Sequence, residues 1–200
     1  MVVFYGAIEA WFSEYGEDGE FVHADRAAPY SVIGPLDSTR WLVFTSKPKI
    51  VSEAIENCWA PAQLGMVGRY GLPDETDLNW LRGLIGSCEL LFLGDMDPVD
   101  LMVYLWLRES LKESISHLGV NDAFLDSLEL ASTESLCMPC ALPEQKALIV
   151  LEQIFPDLRE TIGTEYTQLL KRGYKIEVEG IVSAKQGTAS ILRSAMLSHP

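Results

Sequence analysis

LLFLGDMDPVDLMVY, running from Leu90 to Tyr104, opens with four large apolar residues in a row and then breaks at Gly94. An uninterrupted apolar run of this length, stopped by glycine, predicts a strand buried on both faces. Pro98 then sits where a helix would begin, a place where its missing N–H costs nothing. The helix predicted behind it carries Leu101, Tyr104, Leu105 and Leu111. In an open parallel sheet, ligands gather at the carboxyl ends of the strands. Asp95 and Asp97 leave such an end two residues apart, and Asp100 follows one helical turn on. Carboxylates brought this close repel each other unless a cation neutralises them. Mg²⁺ suits such a pair, because it takes hard oxygen ligands and keeps several of its waters. Asp95, Asp97 and Asp100 are therefore the candidate metal ligands. The competing explanation is structural: Asp-x-Asp ahead of a helix also serves as an N-cap that complements the helix dipole.

Working outward, the same alternation recurs. Trp41–Phe44 reads as a short strand, with Ile50, Val51, Ala54, Ile55 and Cys58 at helical spacing behind it. Leu64–Val67 reads as another strand, closed by the turn Gly68–Pro73. Leu78, Leu81, Leu84 and Ile85 mark a helix with Asp74 or Thr76 as its N-cap. Strand and helix in short alternation predict an α/β fold, a mostly parallel sheet flanked by helices. Beyond His117, Val120–Leu130 is expected to hold a short helix and strand. Helices are expected over Glu144–Phe155 and around Tyr166–Leu170. The alternating run Ile176–Val182 reads as a last strand, and the tail from Ser183 is expected to fray.

Residues 1–39 differ from the rest. Seven acids (Glu9, Glu14, Glu17, Asp18, Glu20, Asp25, Asp37) face one cation, Arg26. The turn YGEDGE at Tyr15–Glu20 suggests a hairpin, or a helix followed by an edge strand. This reads as an N-terminal extension to an α/β domain over residues 40–200, being too short to bury a core of its own.

Composition narrows the function classes. With 200 residues, 48% hydrophobic and 22% charged, the chain falls among globular proteins and not disordered or fibrous ones. Its net charge is −14, from 15 Lys and Arg against 29 Asp and Glu. A protein that coats polyanions needs clustered cations, so that class is disfavoured, whereas an acidic metal site touching nucleic acid through a few local cations is not. No apolar run reaches bilayer length and no signal peptide is visible, so a cytoplasmic protein without a membrane role is expected. The four cysteines are then expected to be reduced.

Order and motifs together resemble the Toprim domain of the topoisomerase VI A subunit and the related meiotic double-strand-break proteins. The likeness rests on Gly71-Leu-Pro-Asp74, then a helix, then Gly94-Asp-Met-Asp-Pro98 before an apolar helix carrying Tyr104, with Lys171-Arg-Gly-Tyr-Lys-Ile-Glu-Val-Glu179 similar to a late Lys-x-Glu element. It spans about Arg40 to Val182. It implies Mg²⁺ held by Asp95 and Asp97, steadying phosphate charge while a DNA strand is cut and rejoined.

Three departures bear on activity. The glutamate that completes the family's acidic site at the end of the first strand falls on Thr45 or Ser46, and a hydroxyl is no carboxylate base at neutral pH. Asp100 stands where the family usually has glycine. The family's DNA-cutting tyrosine sits on an upstream winged-helix domain that forty residues cannot hold. Glu53 and Glu56, on the helix after the first strand, are the candidates to replace the missing acid. Lys47 and Lys49 are candidate phosphate contacts, set against the commoner role of solvated loop lysines. Arg69, at a strand end, is expected at the surface.

Two functional readings follow. One is a Mg²⁺-binding Toprim-like domain that is catalytically degenerate and acts with a partner, a protein or a second copy of itself, reaching nucleic acid through that partner. The alternative is an active Mg²⁺-dependent nuclease or phosphodiester-processing enzyme using Asp95 and Asp97. A third reading is a zinc or redox role for Cys137-Met-Pro-Cys140, which lacks a second ligand pair. Trp80 and Trp106 are candidate markers of an oligomer face.

Overall fold

A computed structural model describes residues 31–34, 39–56, 63–112, 115–128, 134–184 and 192. The expectations for residues 1–30, the position of Cys58 and the side chain of Glu56 fall outside that description. The chain divides into two compact units, 1–92 with 103–116, and 93–102 with 117–200.

The first unit is built on strands β1 (Ser31–Ile33), β2 (Trp41–Thr45), β3 (Leu64–Gly68) and β4 (Glu89–Leu93, whose last residue belongs to the second unit). With β5 (Ile115–Gly119) they form one sheet in the order β1-β3-β2-β4-β5. β2 runs parallel to β3 with Val43 opposite Met66, and β1 runs antiparallel to β3 with Val32 opposite Val67. The sheet is mostly parallel and flanked by helices, as the alternation of runs predicts. Leu42, Val43, Phe44, Met66, Leu91 and Phe92 are all buried, so these strands are apolar because both their faces are covered. Helix α1 (Pro48–Glu56) lies close against β3: a Cβ on Gly68 would come within 2.7 Å of Pro48 Cα, so only glycine fits there. Helix α2 (Glu75–Ile85) begins in a capping box, with Asp74 accepting from Thr76 N and Asp77 N and Asp77 accepting from Asp74 N.

Helix α3 (Pro98–Leu111) contributes Tyr104, whose ring lies 5.5 Å from Phe92 and whose hydroxyl donates to Ile115 O at 3.1 Å. The indole N–H of Trp106 donates to Pro73 O at 2.9 Å. That bond gives Trp106 a structural task within its own unit.

The second unit is mainly helical: α4 (Asp122–Ser127), α5 (Leu142–Ile154), α6 (Leu158–Ile162), α7 (Thr164–Lys171) and α8 (Val178–Ala184). A two-stranded antiparallel sheet pairs β6 (Cys137–Pro139) with β7 (Tyr174–Ile176). Its core includes Phe124, Leu151, Phe155, Ile162, Leu170, Ile176 and Ile181. Here two expectations are corrected. Ile176–Val182 is not a strand: β7 stops at Ile176 and α8 follows, with Val178 and Ile181 buried at helical spacing. The strand expected within Val120–Leu130 lies earlier, at Ile115–Gly119, and α4 follows it. No helix among the described residues is long and apolar enough to cross a membrane.

Candidate functional site

The segment Gly94–Asp97, which joins β4 to α3, is held by backbone bonds on two sides within the second unit. Gly94 N donates to Gly119 O at 3.0 Å, and Val120 N donates back to Gly94 O at 2.9 Å. Met96 pairs antiparallel with Ile176 through Met96 N to Ile176 O at 3.0 Å and Ile176 N to Met96 O at 3.4 Å. An irregular connection is thus pinned to the end of β7 at one residue.

The structure brings the three predicted aspartates together, all buried. Asp97 is the N-cap of α3: its Oδ1 accepts from Asp100 N at 2.7 Å, and its carbonyl accepts from Leu101 N. Asp100 reaches back, its Oδ2 accepting from Asp95 N at 2.7 Å. Asp95 Oδ1 accepts from Val178 N, the first residue of α8, also at 2.7 Å. Each carboxylate therefore spends an oxygen on a backbone amide, and the capping role weighed from spacing is present in full. These are short, charge-assisted bonds that fix the carboxylates in place. They do not exhaust a carboxylate, which offers two oxygens and roughly four lone-pair sites.

Around this loop lies a charged cluster of the second unit. Lys175 Nζ is 2.8 Å from Glu144 Oε1 and 3.0 Å from Glu177 Oε1. Glu144 is itself buried and accepts from Ala141 N at the start of α5. Burial alone pulls the pKa of Lys175 down. The bonds to Glu144 and Glu177 and the negative charge of Asp97 more than reverse that, so its ammonium is held above the ordinary lysine range. Glu144 is not singled out by sequence spacing, and the Lys-x-Glu stretch that contains Lys175 gives no sign of its pairing with Glu144, because the two converge from 31 positions apart.

Lys47 and Lys49 belong to the first unit. Lys49 is exposed and lies 3.8 Å from Glu53, one helical turn along α1, so Glu53 has a local partner. Lys47 follows the strand end at Thr45, where Thr45 Oγ1 accepts from Lys47 N at 3.1 Å. Thr45 and Ser46 are both buried at the place where the resemblance calls for a glutamate. Arg69 is not at the surface: it is 5% exposed and its Nε donates to Asp77 Oδ2 at 3.2 Å. That pairing is what makes a buried guanidinium tolerable.

Cys137 opens β6 and Cys140 follows its end. Burial, then the charge of Glu144 and of Asp97, pushes the Cys140 thiol up to about 11. Cys137 is raised as well, by burial and Glu134. A reactive redox cysteine needs the opposite displacement. Among the described residues, no three or more His, Cys, Asp or Glu side chains are arranged to hold a metal ion. A closed structural cage of the zinc type is thus not on offer there, whereas Mg²⁺ needs only one or two carboxylates with water and substrate phosphate.

No protein-family model matches the chain, and no curated protein matches it.

Proposed function

We propose that this chain is a Toprim-like α/β module that binds Mg²⁺ through Asp95 and Asp97, has lost the strand-cutting chemistry, and works with a partner protein in a process involving nucleic acid. One observation carries the reading. Asp95 and Asp97 follow the end of the buried strand β4, and each has one carboxylate oxygen held by a backbone amide, Val178 N and Asp100 N respectively. Asp100 braces the same turn through Asp95 N. Oxygen donors of this kind match a hard cation, and bound Mg²⁺ would supply charge neutralisation to a phosphate group.

Loss of cutting is supported by Thr45 and Ser46. Their hydroxyls stand where an active relative would carry a carboxylate, and neither is a base at neutral pH. Lys47 and Lys49, in the first unit, are retained on their own as proposed phosphate contacts.

Calorimetric titration with Mg²⁺ and Mn²⁺ tests it. The wild-type chain should bind, and Asp95→Ala and Asp97→Ala should each weaken binding by tenfold or more. Absence of binding, or binding indifferent to both substitutions, overturns the metal role. Cleavage of a DNA substrate that is lost in Asp97→Ala would overturn the degenerate reading in favour of an active nuclease.

A further inference from the structure

The bridge joins Met96 to Ile176 alone, and it brings the next residue of one segment, Asp97, and the preceding residue of the other, Lys175, into the same neighbourhood. Lys175 stands opposite Met138 on β6. Its side chain is 14% exposed and its ammonium touches Glu144 and Glu177. The charges of Glu144, Asp97 and Lys175 all act on the Cys140 thiol, the two acids raising its pKa and the ammonium lowering it. One ammonium thus contacts the carboxylates of Glu144 and Glu177 and lies within the field of Asp97.

We propose that Lys175 is the built-in counter-ion of Asp97, and that a divalent cation arriving at this carboxylate must displace or work against that ammonium. The second half of this inference rests on the cation role proposed for Asp97, and the first half does not. Lysine suits the task because its ammonium is a compact, strongly hydrated point charge on a flexible stem, able to swing between acceptors. A positive charge near an incoming cation lowers its affinity at the effective dielectric of a partly buried site. The residue would set how much divalent ion the site needs, and it keeps the acids neutralised in its absence.

A double-mutant cycle without metal tests the pairing. Wild type, Lys175→Met, Asp97→Asn and the double variant are unfolded in urea with chelator present. The loss of the Lys175–Glu144 contact is common to both backgrounds and cancels. Coupling of about fivefold or more in the unfolding constant is expected, and additivity within about twofold overturns the counter-ion. Should Lys175→Met fail to fold, the same cycle is run with Glu144→Gln added to every member, so that no buried carboxylate is stranded.

Titration with Mn²⁺ then tests displacement. Lys175→Met should bind about tenfold more tightly than wild type, and Lys175→Arg should bind like wild type. Equal or weaker binding by Lys175→Met overturns displacement. Absence of binding in every chain overturns both the displacement and the cation role of Asp97, while the cycle in chelator still decides the pairing on its own.

Discussion

His117 is the residue whose surroundings most sharply restrict its chemistry. Both of its ring nitrogens are shut away from solvent, although the residue as a whole is only half-buried in β5. Burial lowers its pKa from 6.5 to about 4, because the imidazolium loses more hydration than the neutral ring. The sign of the consequence follows from proton counting. Between pH 6.5 and 4 the unfolded chain takes up a proton at His117 that the folded chain refuses, so stability falls as pH falls through that window. His117→Gln should flatten this part of the profile. Urea unfolding of both chains at steps from pH 7.5 to 4 measures it, with a gap on the order of 2–3 kcal/mol at the acid end. Parallel profiles for the two chains would refute the assignment. The position gave no such hint in the sequence, where His117 is one of three scattered histidines.

Among the elements, those read most easily are the ones whose pattern has a single solution. Leu90–Leu93 is apolar at every position, which only a strand covered on both faces explains, and all four residues are buried. Asp74 before α2 is likewise a local signal, a cap followed three residues later by an acid. Ile176–Val182 misleads because its apolar residues satisfy two periods, alternation at 176 and 178 and helical spacing at 178 and 181. The choice is made by Asp95, whose carboxylate takes the first amide of α8 from 83 positions away. The three aspartates of the site were legible because one short segment carries them. The pairing of Lys175 with Glu144 was not, since it joins residues 31 positions apart. Arg69 escaped for a related reason: its burial depends on Asp77, which also closes the capping box of α2. Asp77→Ala removes both contacts and leaves a buried guanidinium without this carboxylate, which should cost about 3 kcal/mol in chemical denaturation. Arg69→Met with Asp77→Leu should recover most of that loss, because a well-packed apolar pair replaces a buried ion pair at little or no cost. A double variant as unstable as the single one would show that the pair does more than neutralise itself.

At the scale of the whole molecule, the sum of charges sets how it can meet a polyanion. The net charge of −14 gives DNA a repulsive long-range field. Several described cations are, moreover, already matched to acids: Lys49 to Glu53, Arg69 to Asp77, Arg82 to Glu75, Lys171 to Glu152, and Lys175 to Glu144 and Glu177. Counter-ion release, which drives sequence-independent binding, needs several lysines or arginines free to replace the ions condensed on phosphate. A module of this charge that works on nucleic acid therefore needs its cations from elsewhere, which is the physical reason a partner belongs in the proposed function. The expectation is concrete. Fluorescence anisotropy of a labelled duplex at about 150 mM salt should show no binding by the isolated chain up to roughly 10 µM, and adding Mg²⁺ should not change that, because one or two divalent ions offset only a small part of −14. A dissociation constant below about 1 µM, rising steeply with salt, would mean that a basic surface exists despite the overall balance, and the need for a partner to deliver nucleic acid would fall with it.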